Sequence, residues 1–374
     1  MREFDVAVVG AGPAGSAAAL AACRAGARVL LLDRADFPRD KVCGDGIAAE
    51  AITVLDGLGV QGVTDGYPAV ESLRLVGPRG SAVARPLPRV AHTVPRRVFD
   101  ERLVRAAVAA GAELRKHTVR AVRATGSSVT IDGRWRAGVL IGADGAGSVV
   151  RRALGFAVNP PGHLAVALRG YTRTANTSEQ IIVTTRARWP AYAWEFPLGD
   201  GTANVGYGEV LRGAPLSRAY LVERLRHLLP GREPSDLRGH HLPLSTHRPP
   251  PARGRVLLAG DALSLINPFT GEGIFYAVLS GALAGEVAAA GGKRVAERYG
   301  RALRHRLGRH LRHSGLAASL TRQSWVVDAA VAAAARDGEV FDRMVELGLG
   351  DGVFDLRTIG RIASRLGRRH PAAP

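Results

Sequence analysis

"FDVAVVGAGPAGSAAALAACRAGARVLLLDR", residues 4–34, sets a short β-branched run before Gly10-x-Gly12-x-x-Gly15, then an Ala-rich helical stretch and a second apolar strand that ends at Asp33. The order strand, glycine turn, helix, strand is that of a dinucleotide-binding unit. Gly10 permits the tight turn, Gly12 lets backbone amides approach a pyrophosphate, and Gly15 allows the helix to lie on the sheet, while the helix N-terminus favours phosphate charge. Asp33 stands at the distance where an acid accepts hydrogen bonds from a ribose. Cys23 falls on the helix as a small core residue.

Two later stretches repeat the design. "AGVLIGADGAGSVVR", residues 137–151, runs an apolar strand into a glycine turn at Asp144 and Gly145. "RVLLAGDALSLINPFTGEGI", residues 255–274, delivers Gly260 and Asp261 to a turn, after which Pro268, Gly271 and Gly273 lead into a helix beginning near Ile274. The three motifs in this order resemble the FAD-binding fingerprints of the flavoprotein monooxygenase superfamily, with the fold of p-hydroxybenzoate hydroxylase. The resemblance implies FAD as cofactor, the Asp144 motif near its pyrophosphate, Asp261 on its ribityl chain and the helix after Gly273 near the isoalloxazine. Arg96, ahead of a Phe-Asp helix start, and Val119, as a backbone contact to adenine, match the same pattern. Ala14 and Arg34 extend the implied cofactor set.

Within that superfamily, Pro38-x-x-x-x-Cys43-Gly44 in "FPRDKVCGDG", residues 37–46, resembles the signature of geranylgeranyl reductases. "YAWEFPLGDGTANVGYG", residues 192–208, is similar to a second signature of the same family, and "NPFTGEGI" has its form as well. Lys41, Cys43 and Gly44 are thereby placed beside the flavin. Tyr192, Trp194 and Phe196 alternate at strand period, so they share one sheet face. In a chain with only 5% aromatic residues, that concentration suits the wall of a long apolar substrate pocket. The implied chemistry is reduction of a carbon-carbon double bond in an isoprenoid or another extended apolar metabolite, with hydride from reduced flavin. Cys43, Tyr192 or ordered water would supply the proton. Arg39 or Lys41, if close to the sulfur of Cys43, would lower its pKa. No second dinucleotide fingerprint is present, so NAD(P)H binds transiently or an electron-donor protein reduces the flavin. A monooxygenase of a specialised metabolite is the alternative on the same fold. Flavin halogenases share the Trp strand but not the cysteine segment.

The expected architecture is α/β. A discontinuous Rossmann-like FAD domain takes residues 1–70, 92–160 and 252–290, a mainly β substrate domain takes 71–91 and 161–251, and 291–374 forms a helical C-terminal region. In that region Val295, Tyr299, Leu303, Leu307 and Leu311 mark an amphipathic helix. Its Arg294, Arg298, Arg301 and Arg304 form a solvated face or, alternatively, a peripheral contact to a membrane.

The 374 residues carry a net charge of +18, nearly all from Arg, since Lys occurs only at 41, 116 and 293. A basic field attracts nucleic acid, membranes and acidic metabolites alike. No nucleic-acid module accompanies it, so a non-enzymatic nucleic-acid-binding role is the weakest reading and no nucleic-acid partner is expected. Two cysteines build no disulfide framework, which suits a cytoplasmic setting. The uncharged run from Val6 to Cys23 reads as the glycine motif rather than an export signal, because "MREFD" is not net positive. His240, His241 and His247 lie in a crossing region without metal-ligand spacing, so no metal is expected.

Overall fold

A computed structural model describes residues 2–361, apart from 187, 214, 215, 355, 356 and 359. The end of the expected C-terminal helical region, 362–374, lies outside the described residues.

In chain order the elements are β1 (Arg2–Val9), α1 (Pro13–Arg24), β2 (Val29–Asp33), β3 (Gly46–Ile47), α2 (Ala49–Gly57), β4 (Ala69–Val76), β5 (Ala82–Thr93), α3 (Arg96–Ala109) and β6 (Glu113–Lys116). They continue through β7 (Val122–Ala124), β8 (Val129–Ile131), β9 (Trp135–Gly142), α4 (Val149–Ala153), β10 (Leu164–Arg173), β11 (Glu179–Thr184), β12 (Ala191–Pro197), β13 (Thr202–Val210), α5 (Arg218–Leu228) and β14 (Ser235–Pro243). The last part holds β15 (Ala252–Arg253), β16 (Val256–Leu258), α6 (Ile274–Ala289), α7 (Val295–Leu320), α8 (Ser324–Arg336) and α9 (Gly338–Leu349).

The strands form two sheets. The first has the order β15-β16-β9-β1-β2-β6, with β7 and β8 folded back beside β9. Strands β16, β9, β1, β2 and β6 are mutually parallel. The turns after β1, β9 and β16 therefore leave the sheet at one edge, which is why three motifs far apart in sequence converge. Val6–Val9, Leu30–Leu32 and Val139–Ile141 are buried throughout, as continuous apolar strands covered on both faces should be. At the first turn Gly10 has φ +96°, and a Cβ there would lie 2.4 Å from the Ala143 carbonyl oxygen. Only glycine fits.

The second sheet runs β14-β10-β13-β12-β11-β4-β5-β3. All its pairs are antiparallel except β11 with β4. One face packs on α5 through Tyr207, Leu221 and Leu225. Toward β4 and β5 the other face meets α8 and α9 through Leu73, Val83, Val331 and Phe341. His240 and His241 belong to β14 rather than to a crossing, while His247 lies in the segment between that strand and β15. Cys23 packs against the main core from α1.

Candidate active site

A single cavity of about 2200 Å³ joins the turn edge of the first sheet to the face of the second. Ordinary ligand pockets hold several hundred Å³, so this one has room for a dinucleotide and a long second ligand. Gly10, Gly12, Ala14, Asp33, Arg34, Val119, Asp144 and Gly145 line one end, and Lys41, Cys43, Gly44, Arg96, Asp261, Gly271, Gly273 and Ile274 line the middle. Gly15, Gly260 and Pro268 stand behind the wall. A Cβ on Gly15 would come within 1.7 Å of the Gly10 carbonyl oxygen, so its part is to let α1 sit on β1.

The dinucleotide end suits an anionic ligand with a diol. The N-cap of α1 is Gly12, with no side chain closing the helix end and Pro13 at the first position, which leaves amides free for phosphate oxygens. A Cβ at Gly12 would project toward Arg39 and Arg96, at 3.6 and 4.0 Å from their Nη2 atoms. Asp33 accepts the amides of Ala11 at 2.8 Å and Ala35 at 2.9 Å, which fixes its carboxylate with acceptor capacity to spare. Asp144 is turned the other way. It accepts Ser148 Oγ and the amides of Val149 and Val150, so its carboxylate is committed to the start of α4 while its turn lines the cavity. FAD fits these donors.

In the middle of the cavity the two signature stretches touch. Tyr192, Trp194 and Phe196 on β12 all face the cavity, while Ala191 and Ala193 face α5. Trp194 pairs across the sheet with Gly206 and Tyr192 with Gly208. The indole lies over Gly206, where a Cβ would be 2.1 Å from Trp194 Cζ2. Gly44 rests on the same aromatics; a Cβ there would be 3.3 Å from both Phe196 Cε2 and Trp194 Nε1. Asn204 ties the two stretches together. It accepts Trp194 Nε1–H at 2.9 Å and donates to the Cys43 carbonyl at 2.9 Å and to Asp45 at 2.8 Å.

Charges around Cys43 differ from the expectation. The cation that pulls hardest on the thiol is Arg96, whose charge favours the thiolate, rather than Arg39 or Lys41. Arg96 is itself held by two bonds to buried Asp100, at 2.6 and 2.8 Å. Burial outweighs these cations and pushes the Cys43 thiol up, not down. Burial likewise lowers Lys41 to about 8, the carboxylate of Asp261 opposing the shift.

Sequence reading passed over two carboxyl groups. Asp45, buried behind the Cys43 loop at φ +63°, accepts Tyr171 and Asn204, and burial raises it to about 6. Glu272 lies on the cavity wall with Oε1 accepting the Phe275 amide at 2.7 Å, and burial raises it to about 7. Their only sequence signal was an acid beside each glycine motif. His240, on the cavity wall, is lowered to about 3 by burial, with Lys41 second.

Comparison with known proteins agrees with this geometry. A family described as FAD binding domain matches residues 3–182. The chain is 35% identical over 316 residues to a menaquinone reductase of Mycolicibacterium smegmatis, covering 77% of each chain. It is 36% identical over 308 residues to digeranylgeranylglycerophospholipid reductase 1 of Methanopyrus kandleri, covering 76% of this chain and 80% of that one. The chain belongs to the geranylgeranyl reductase family of FAD-dependent oxidoreductases. Its fold is shared by a geranylgeranyl bacteriochlorophyll reductase-like protein of Thermoplasma acidophilum, with TM-score 0.82 and 22% identity over 98% of this chain and 97% of that one. No described helix of this family member is long and apolar enough to cross a membrane.

Proposed function

We propose that this FAD-dependent oxidoreductase reduces a carbon-carbon double bond in the isoprenoid chain of a lipid. The observation that carries the reading is the contact between the Cys43-Gly44 loop and the Trp194-Phe196 strand beside the cofactor end of the cavity. The names of the relatives, which act on menaquinone and on digeranylgeranyl lipids, support an isoprenoid substrate.

When bound in its reduced form, FAD supplies the hydride. The residues proposed to hold it are Gly10, Gly12, Ala14, Asp33, Arg34, Val119 and the Asp144 turn at one end, and Lys41, Arg96, Asp261, Gly271, Gly273 and Ile274 at the other. Tyr192, Trp194 and Phe196 hold the alkene flat against the loop and keep water away from it. Beyond them Leu73, Leu75, Ile182, Val331 and Leu347 give an apolar channel for the rest of the chain.

The second hydrogen arrives as a proton. Tyr192 already donates its hydroxyl to the Thr270 carbonyl, so its part is to position. Burial disfavours the anions of both Cys43 and Glu272, so the Cys43 thiol keeps its proton at neutral pH and Glu272 gains and loses one there. Glu272 is the group whose pKa lies near 7, where a general acid is most effective. The electrons come from NAD(P)H or a donor protein acting at the open cofactor end.

The experiment is anaerobic turnover of a geranylgeranylated lipid that carries no quinone ring, by enzyme whose FAD has been reduced with dithionite. The expected product gains two hydrogens per reduced bond with no oxygen present. A product that forms only with oxygen and gains its mass overturns the reading in favour of a monooxygenase.

A further inference from the structure

Large apolar side chains left exposed are few among the described residues: Val90, Val108, Val158, Leu316, Leu320 and Trp325. The last four all line the cavity. They are 52%, 61%, 60% and 41% exposed, so the cavity reaches the surface through an apolar rim formed by the end of α7, the start of α8 and the segment before β10. Trp189 lines the same region and donates its indole N–H to the Thr321 carbonyl, joining the substrate sheet to the rim.

The exposed face of α7 continues from this rim. Arg301, His305, Arg309, Arg312, Leu316 and Leu320 are all exposed, and their spacing of three and four residues sets them in one stripe along the helix. The stripe is cationic for most of its length and apolar only in the last two turns, where it meets the cavity. A different set was expected from sequence. Arg298 turns inward to the Gly291 carbonyl, so the face containing Arg294 and Arg298 is not an uninterrupted row of free cations.

We propose that this stripe and rim are the surface by which the protein rests on an anionic lipid bilayer, with Leu316, Leu320 and Trp325 inserted among the acyl chains and the cavity opening between them. The occupant follows from three features together. An apolar tip flanked by arginines has the complementarity of an acyl layer beneath acidic headgroups. Tryptophan suits the boundary between the two. A rim that is also the mouth of an apolar cavity gives an isoprenoid chain a route in that avoids water. The proposal rests on the isoprenoid reading above only for that last point.

The test uses full-length protein with bound FAD and vesicles of phosphatidylglycerol and phosphatidylcholine, some carrying brominated acyl chains. The native protein should co-sediment with vesicles rich in phosphatidylglycerol, and brominated lipid should quench part of its tryptophan emission. Trp325→Phe should remove that quenching. Leu316→Ser with Leu320→Ser and Trp325→Ser should weaken co-sedimentation about tenfold or more. Quenching that persists in Trp325→Phe, or co-sedimentation unchanged in the triple variant, overturns the proposal. So does a dimer that the triple variant dissolves without any vesicle binding, which would assign the patch to a second copy of the chain. Vesicle binding that depends on the patch while no prenyl bond is reduced would leave this proposal standing and remove the functional one.

Discussion

Glu272 and Cys43 face the same part of the cavity and hold their protons for the same reason, burial, but at different strengths. With Glu272 near 7, a proton is available below neutrality and is lost as pH rises through about 7. We expect the single-turnover rate of alkene reduction to fall on that alkaline side, and Glu272→Gln to lower the rate and abolish the limb. Cys43→Ser should leave the limb in place, and an unchanged rate in that variant would show that its sulfur is not needed. The sign for stability follows separately. Asp45 and Glu272 are both raised above their values in an unfolded chain, so the folded state holds protons that the unfolded chain releases. The contribution of these two carboxyls to stability then declines as pH climbs from about 4 to about 7, while His240, lowered by burial, contributes in the opposite sense up to about 6.5. Urea unfolding across that window should show the native protein losing stability relative to Glu272→Gln as pH rises, because the variant lacks that carboxyl's contribution. Gly206 offers a second test. With the Trp194 ring over it, Gly206→Ala should cost about 1–3 kcal/mol and be read as a lowered midpoint of thermal unfolding.

Among the elements, those written by short-range pattern were legible before the structure. The glycine turns after β1, β9 and β16 carry their own signature because a tight turn and a backbone approach each demand a residue type at a fixed step. The period of β12 likewise assigned Tyr192, Trp194 and Phe196 to one face. What could not be read is whatever depends on distant pairing. Asn204 gains its role only because β13 lies beside β12 and beneath the Cys43 loop. Asp45 and Glu272 are acids in glycine-rich stretches until the fold buries them, and the cation with the largest effect on Cys43 comes from α3 rather than from its neighbours in the chain. The docking of α9 was equally hidden. Tyr276 of α6 donates to the Gly350 carbonyl at 2.8 Å and meets Asn267 and His310 at 3.0 and 2.9 Å. Tyr276→Phe should therefore destabilise the fold by about 1–3 kcal/mol and speed proteolysis near residue 350 before other sites.

At the scale of the whole molecule, two sheets and the helices α8 and α9 border one continuous space, with the glycine turns proposed to hold FAD at one end and an apolar lining at the other. The channel under α8 should set which chain lengths are accepted. Ala330 lines it without being fully buried, so Ala330→Trp should narrow it at small cost to folding. We expect KM for a long polyprenyl substrate to rise about tenfold, equivalent to about 1.4 kcal/mol, with a short prenyl substrate little affected. Equal losses for both would mean that the chain does not pass beneath α8. The grip on the outer wall bears on how such a channel could diversify. Asn267, Thr270, Tyr276 and His310 reach the carbonyls of Leu347, Gly348, Gly350 and Gly352, which are main-chain atoms common to every amino acid. The path of the wall is thus held independently of what its inward side chains are. Met344, Val345 and Leu349 could be exchanged to reshape the pocket while the latch stays intact, making this segment a natural place for a lineage, or a library, to retune what the enzyme accepts.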